Sequence, residues 1–363
     1  MKVPGLTKYG PRVVARSIKP IKKGEEVCIA YTDLLQPKEM RHCDLWSKYR
    51  FVCCCERCSA LPEMYVDSIL KSDAWSLVTN HDNSKEADCD DLAEFLDQTI
   101  AEYMSDGNPE ACCKKLENML CGILEGSPIQ EPSKTNFRLH PLHYLSLNAY
   151  IALSSACKVL STNLLATDSN KQSKSRASNV HRASVGYSLL LAGATHHLFM
   201  SESSLLANSA VLWVSAGESI IDFLRISCKT KFKLYSHPEF PREAYKCKET
   251  SLRFLECISK KLTWSWLYLV RGLYYLENVK SPVDFSWLGL ENTCQVTEDW
   301  RNAAEFCLCD EYKFETETCI EEYRTLEQVA VCCLAYGKYL ATICWGQESY
   351  LVHRVGKLFH DIM

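Results

Sequence analysis

The sequence lacks several features that mark whole classes of protein. No stretch of about eighteen apolar residues occurs in the 363 residues, which argues against a membrane span. The first ten residues have no hydrophobic centre of the kind found in secretory signals. No Lys/Arg run interleaved with aromatic residues is present, so direct nucleic-acid binding is not predicted. With 47% hydrophobic and 24% charged residues, the composition is that of a globular protein.

Cysteine, by contrast, is abundant. The chain holds 21 cysteines, and nothing in the sequence indicates export. We therefore expect reduced thiols and a location in the nucleus, the cytoplasm or both.

Charge and cysteine are unevenly distributed along the chain. Residues 1–60 contain twelve Lys and Arg against six Asp and Glu, whereas the remainder is acidic, with a net charge of −10. Six of the cysteines fall within the first 58 residues. This asymmetry predicts two domains, 1–60 and 61–363, although a solvated basic face would also account for the charge alone.

The first sixty residues carry a mixed β and α pattern. Val13–Ala15 is rich in β-formers, and Lys22–Gly24 supplies a turn. From Val27 to Thr32 apolar side chains alternate between two faces, which predicts a second strand. Pro37 is suited to the start of a helix that runs to about Tyr49.

From about residue 64 onward the pattern is helical, so we predict a mainly α fold with a small N-terminal β part. Apolar stripes predict helices over 108–124, 141–160, 185–200, 203–225, 245–258, 263–276, 300–308 and 326–344. Successive helices joined by short loops are typical of a tetratricopeptide-like array, although no regular 34-residue consensus aligns. Residues 161–184, rich in Ser, Asn, Thr and Lys, are predicted to form a loop.

Three thiols within six residues form the densest chemical signal. Cys53, Cys55 and Cys58 are spaced as on a tight knuckle that supplies several of the four ligands of tetrahedral zinc. Two alternatives stay open at this point. The Cys55–Cys58 spacing also occurs in redox pairs, and buried inert thiols would show the same sequence.

A longer string of residues around these cysteines resembles a known family. The string comprises Ala15-Arg16-Ser17-Ile18, Lys23-Gly24-Glu25-Glu26-Val27, Ala30-Tyr31-Thr32-Asp33-Leu34, Arg41 and Tyr49-x-Phe51-x-Cys53-x-Cys55-x-x-Cys58. It resembles the end of a SET domain with its post-SET zinc segment. The helices that follow, with Leu139-His140-Pro141-Leu142-His143-Tyr144 near the start of one, are similar to the C-terminal domain of the SET-and-MYND type, as in plant SET-domain-group proteins.

The resemblance implies protein-lysine methylation with S-adenosylmethionine, including histone-lysine methylation. By the same resemblance Tyr31 and Tyr49 would be hydroxyl-bearing walls of the lysine channel. Phe51 would pack beside the adenine ring of the cofactor, which Tyr31 would also border. Cys53, Cys55 and Cys58 would bind zinc.

The sequence also departs from the family pattern. SET domains of this type carry an upstream Gly-x-Gly segment and an Asn-His-x-Cys segment that supplies cofactor contacts and the fourth zinc thiolate, and neither precedes Val13. The MYND finger is also missing. We therefore expect a chain without the N-terminal part of the SET domain and catalytically incomplete. Among Cys28, Cys43 and Cys54, Cys43 is the best candidate for the fourth ligand.

Three functional hypotheses follow from the sequence. The chain is a member of a lysine methyltransferase family that keeps part of its active site. Alternatively, it is a helical protein-interaction module whose acidic array binds a protein or a basic peptide such as a histone tail. The third hypothesis is an inactive truncated fragment.

Overall fold

The computed structural model describes residues 6–7, 10–11, 14–71, 75–76, 85–120, 137–139, 142–167, 171–227 and 316–362. Within these ranges helices dominate, which confirms a mainly α fold. The helices are α1 (Lys38–Tyr49), α2 (Glu56–Ser59), α3 (Tyr65–Leu70), α4 (Lys85–Asp106), α5 (Pro109–Leu120), α6 (Tyr144–Thr167), α7 (Lys171–Ser201), α8 (Leu206–Ser227), α9 (Thr316–Trp345) and α10 (Tyr350–Ile362). A 3₁₀ turn, Ser203–Leu205, precedes α8. The helices predicted over 245–258, 263–276 and 300–308 lie outside the described residues.

The strands of the described residues are short. Strands β1 (Leu6–Thr7) and β2 (Gly10–Pro11) form one antiparallel pair, with Leu6 opposite Pro11. Strands β3 (Trp75–Ser76) and β4 (Phe137–Arg138) form a second, with Trp75 opposite Arg138.

Of the strands predicted near residues 13–15 and 27–32, neither is seen at the described positions 14–15 and 27–32; residue 13 lies outside the described residues. Residues 14–37 consist of turns and irregular backbone. The alternating sequence at 27–32 favours a strand, but no strand pairs with it among the described residues. A strand is stable only when its backbone pairs with another strand. Val27 and Ile29 are accordingly 72% and 68% exposed.

The described residues pack into two compact units. In the first, residues 25–187, α5 packs against both α4 and α6. Its core contains the completely or almost completely buried side chains Leu96, Leu116, Met119, Leu145, Tyr150, Leu153 and Tyr187. The rings of Tyr150 and Tyr187 stack with their centroids 6.3 Å apart. The predicted domain boundary near residue 60 stays a prediction.

The helix α6 and the first part of α7 occupy most of the segment that we predicted to be a loop. This prediction was wrong because the serines of 161–184 make contacts between the two helices. Ser161 is buried and its hydroxyl donates to the carbonyl oxygen of Ala177 over 3.0 Å. Ser184 Oγ donates to the carbonyl oxygen of Ser154 over 2.7 Å. Hydroxyls that bond to a neighbouring backbone are satisfied inside a core, so a serine-rich composition does not exclude packed helices.

The second unit contains residues 188–227 and 316–362 together with residues before 25. Its main contact is between α8 and α9, and α10 packs on α9. Around this contact lie the buried side chains Leu198, Trp213, Ile220, Phe223, Leu334, Tyr336 and Leu340. The predicted helices 203–225 and 326–344 are thereby confirmed.

Two helices of the described residues are long and apolar enough to cross a bilayer by those criteria alone. They are Tyr144–Thr167 and Ser203–Ile226, and 44% and 61% of the respective apolar windows is buried inside the protein. Burial of this kind is also found in core helices of globular proteins. The expectation that the chain does not span a membrane stays a prediction.

Candidate functional site

The loop before α1 is fixed against that helix by side-chain hydrogen bonds. The Thr32 hydroxyl donates to Asp44 Oδ2 over 3.0 Å, and Asp33 Oδ1 accepts the backbone N–H of Leu35 over 3.0 Å. Leu35 is buried, and Leu45 on the inner face of α1 is buried as well. These contacts place the residue just before Thr32, which is Tyr31, beside the C-terminal end of α1.

Helix α1 ends in a sharp change of direction. Arg50 has left-handed backbone angles (φ 61°, ψ 33°), and its N–H donates to the carbonyl oxygen of Trp46 over 3.1 Å. A left-handed residue is a common way to end a helix. The turn brings Phe51 back toward Tyr49 instead of letting the helix continue.

The predicted aromatic residues meet at this corner. The ring centroid of Tyr31 lies 5.1 Å from that of Tyr49 and 5.8 Å from that of Phe51, both in edge-to-face geometry. The rings of Tyr49 and Phe51 are 6.4 Å apart. These are favourable distances for aromatic pairs. We call Tyr31, Tyr49 and Phe51 the aromatic cluster. Its members are 50%, 49% and 38% exposed, so each ring packs on one side and faces solvent on the other.

The predicted cysteines meet as well. The sulfur atoms of Cys53, Cys55 and Cys58 all lie within 4.8 Å of one another, and we call them the cysteine cluster. Cys55 is the residue before the four-residue helix α2, and its carbonyl oxygen accepts the N–H of Ser59 over 2.9 Å. Sulfurs bound tetrahedrally to zinc are about 3.8 Å apart, given a Zn–S bond of about 2.3 Å. The cluster therefore fits a zinc ion that takes three thiolates from this chain.

The candidate fourth ligands are placed elsewhere. Cys28, Cys43 and Cys54 are all exposed, and none belongs to the three-residue cluster in the described part of the chain. Cys43, which we favoured from the sequence, lies on α1 with its side chain toward solvent.

Burial and mutual repulsion shape the acidity of the cysteine cluster. Burial raises the pKa of Cys53 to about 12; a hydrogen bond from the backbone N–H of Cys55 acts to lower it, whereas the thiols of Cys55 and Cys58 add to the increase. Burial also raises the pKa of Cys55, but hydrogen bonds from the backbone N–H groups of Cys58 and Arg57 and from neighbouring thiols outweigh it and hold that pKa below its ordinary value. Cys55 is therefore the first thiol of the cluster to lose its proton. A cation bound among the sulfurs would relieve the charge repulsion that opposes deprotonation of the second and third thiols.

The surroundings of Cys55 and Cys58 match only part of what a thioredoxin-like redox pair requires. A thioredoxin-like pair follows a strand and opens a long helix. Here residues 51–54 are not a strand, and α2 has four residues.

A buried ionic network lies directly beneath the cysteine cluster, and sequence reasoning missed it as a unit. Arg41 on α1 and Arg57 on α2 both bind the carboxylate of Asp67 on α3. Arg57 Nε and Nη2 donate to the two carboxylate oxygens over 2.9 and 2.8 Å, and Arg41 Nη1 and Nη2 donate to the same pair. The two guanidinium groups lower the pKa of Asp67 although its burial acts to raise it. In the sequence, Arg41 belongs to the string that resembles the family and Arg57 lies inside the Cys-x-x-Cys spacing, but no pattern indicates Asp67.

Comparison with known proteins supports a relationship at the level of the family. The chain is similar to the Arabidopsis thaliana protein named SET DOMAIN GROUP 41, with 34% identity over 361 residues. The aligned region covers 95% of this chain and 59% of the relative, so the chain spans about three-fifths of that protein. No protein-family profile matches the chain, and no solved structure matches it. The similarity supports a SET-domain protein.

The similarity to a known protein and the geometry of the site support different parts of the prediction. The similarity supports a SET-domain protein. The geometry brings Tyr31, Tyr49 and Phe51 together and brings Cys53, Cys55 and Cys58 together. The roles of these six residues stay predictions.

Proposed function

We propose that this protein belongs to the protein-lysine methyltransferases of the SET-and-MYND type and that Tyr31, Tyr49 and Phe51 form part of the site that methylates lysine in a protein substrate, including histone lysine. The observation that carries the proposal is the aromatic cluster, because Tyr31 packs edge-to-face on both Tyr49 and Phe51, and in the sequence only Val52 separates Phe51 from the cysteine cluster. The similarity to a SET DOMAIN GROUP protein supports the same assignment.

The chemistry of lysine methylation explains why aromatic residues would be needed. A lysine amine has a pKa near 10.4 and must lose its proton before it can attack a methyl group. Aromatic walls disfavour the charged form by excluding water, and their faces attract the methylated ammonium product. S-adenosylmethionine supplies the electrophilic methyl group when it is bound.

Each member of the aromatic cluster then has a distinct role. The phenol oxygens of Tyr31 and Tyr49 would accept or donate a hydrogen bond at the substrate amine and orient its lone pair. Phe51 would pack beside the adenine of the cofactor, which Tyr31 would also border. The exposed side of each ring is the side on which substrate and cofactor would lie.

Zinc is the metal that the cysteine cluster fits. Cys53, Cys55 and Cys58 would hold it as a structural ion, which fixes the segment that carries Phe51 relative to α2 and α3. The ligand set is soft and includes sulfurs that are at least partly buried, as expected of a structural zinc site rather than a hydrated metal site.

The partner and the location follow from charge and composition. Residues 61–363 carry a net charge of −10, which favours basic peptides such as histone tails as partners. A nuclear location, a cytoplasmic location or both would give access to such substrates.

The proposal is tested by transfer of labelled methyl groups from S-adenosylmethionine to core histones, with cofactor binding measured calorimetrically. We expect Tyr31→Phe and Tyr49→Phe to reduce transfer at least tenfold, because each removes one orienting hydroxyl and leaves the ring. Tyr350→Phe is the matched control, since Tyr350 is an exposed tyrosine on α10 outside the cluster. Transfer that is equal in all three variants would contradict the assigned roles. Peptide binding without any cofactor binding would favour an interaction module instead.

A further inference from the structure

We propose that Arg41, Asp67 and Arg57 are positioning residues of the zinc site, with Arg41 as the hydrogen-bond donor to Cys58. This inference rests on the proposed function, because it concerns the metal site assigned there. We call the three residues the ionic triad. Its members come from three successive helices, α1, α3 and α2, and are 2%, 0% and 7% exposed.

The first step of the argument is the connection between the ionic triad and the metal site. The two terminal nitrogens of Arg41 contact both the Asp67 carboxylate and the Cys58 sulfur. Nη1 and Nη2 bind the Asp67 carboxylate, and Nη2 also lies 3.7 Å from the sulfur of Cys58, within hydrogen-bond distance for sulfur. Metal-ligand atoms usually carry such an outer hydrogen bond, which fixes their orientation.

The second step is charge. The triad contains two guanidinium groups and one carboxylate, so it leaves one positive charge in excess inside the protein. The remaining polar partners are neutral carbonyl oxygens of Gln36 and Leu34, at 2.7 and 3.0 Å. Buried charges are costly unless they are paired. A zinc-bound Cys58 carries negative charge and is the neighbour that completes the pairing.

The third step is the reach of the triad beyond the metal. Arg57 precedes Cys58 in the chain, and its Nη1 donates to the carbonyl oxygen of Leu34, which lies three residues after Tyr31. Through Arg57, the triad therefore connects the segment of the cysteine cluster to the loop that contains Tyr31 and Leu34. A lysine cannot replace Arg41, because one ammonium group cannot bind both carboxylate oxygens and the sulfur in a fixed planar geometry.

The test compares zinc affinity, measured by competition with a chelator, for the wild-type chain and for Arg41→Gln and Arg41→Lys. Both variants should bind zinc about 10- to 100-fold more weakly, in the range seen when an outer-shell partner is removed. Glu102→Gln is the matched control: Glu102 on α4 pairs with Lys115 on α5, and both side chains are exposed. Its affinity should stay within twofold of wild type.

A double-variant cycle separates positioning from general loss of structure. In a Cys58→Ser background, Arg41→Lys should cause less than a twofold further loss, because the sulfur that it orients is already gone. An equal loss in both backgrounds would overturn the inference and assign Arg41 a purely structural role. A second measure compares the cobalt-substituted wild-type and Arg41→Lys proteins. The sulfur-to-cobalt absorption band should shift in the variant, because the hydrogen bond to Cys58 is lost. An unshifted band would overturn the inference.

The outcomes also distinguish this inference from the metal assignment on which it rests. A wild-type chain that binds neither zinc nor cobalt would overturn both. A wild-type chain that binds zinc tightly, together with Arg41 variants that bind it equally well, would overturn the positioning role alone.

Discussion

Replacement of Gly337 by alanine should destabilise the second unit, against the usual effect of that change in a helix. A β-carbon built on Gly337 of α9 would lie 2.6 Å from Val214 Cγ2 and 2.8 Å from the backbone nitrogen of Val214 on α8. The carbonyl oxygen of Ala210 would be 3.1 Å away. Because two of these atoms are backbone, a side-chain rotation cannot make room and the two helices must separate.

The magnitude follows from two opposing effects. Glycine to alanine in a helix contributes about 1 kcal/mol of stability through propensity. Overpacking of a filled contact costs about 1–3 kcal/mol, and a contact with backbone belongs at the upper end of that range. We therefore expect Gly337→Ala to lower the free energy of unfolding by about 2 kcal/mol, measured by urea denaturation with helical circular dichroism.

Two other helical glycines provide the controls. At Gly217 a β-carbon would meet mainly the side chain of Leu334, at 2.7 and 2.9 Å, so partial relief is available and the loss should be smaller. At Gly356 on α10 nothing lies within 4 Å, so Gly356→Ala should raise stability by up to about 1 kcal/mol. If Gly337→Ala is as stable as wild type, the close contact of α8 with α9 is refuted.

Three further predictions concern buried groups in both units and the cysteine cluster. Burial lowers the pKa of His196 to about 4, so between about pH 6.5 and 4 the unfolded chain takes up a proton that the folded chain excludes. Stability should fall by about 3 kcal/mol over that range, and His196→Gln should flatten the pH profile of urea midpoints. Leu116→Ala, at a completely buried position, should cost about 3 kcal/mol in the same denaturation assay. Removal of zinc with a chelator should make Cys53, Cys55 and Cys58 faster to alkylate, as followed by mass spectrometry of the modified peptides, and unchanged rates would argue against metal binding.

The candidate site was the part of the molecule most accessible from sequence. Its six predicted residues all fall between positions 31 and 58, so the contacts among them are made within one short segment of the chain. The turn at Arg50 and the short helix after Cys55 then bring the aromatic rings and the sulfurs together. Most helices were likewise predictable, because stripes such as the one that contains Leu116 and Met119 specify a buried face.

The features that sequence did not predict all depend on contacts between distant segments. Arg41 and Asp67 are 26 residues apart, and no periodicity links them. The hydroxyl of Ser161 is satisfied only because α7 supplies the carbonyl of Ala177. The strand predicted at 27–32 fails for the converse reason, since its alternating pattern has no paired neighbour within the described residues.

The two halves of the candidate site differ in how complete they are. In the cysteine half, the ionic triad and Cys58 are buried, and the three sulfur atoms lie within 4.8 Å of one another. The aromatic half is still 38–50% exposed. At pH 7 only about one lysine amine in 2,500 is unprotonated at a pKa near 10.4, and a change of that size corresponds to about 5 kcal/mol. A cation near exposed rings gains about 0.5–1 kcal/mol, which favours the charged form instead. Tyr31, Tyr49 and Phe51 can therefore promote amine attack only when their free faces are covered, so catalysis would depend on what covers the rings as much as on the rings themselves.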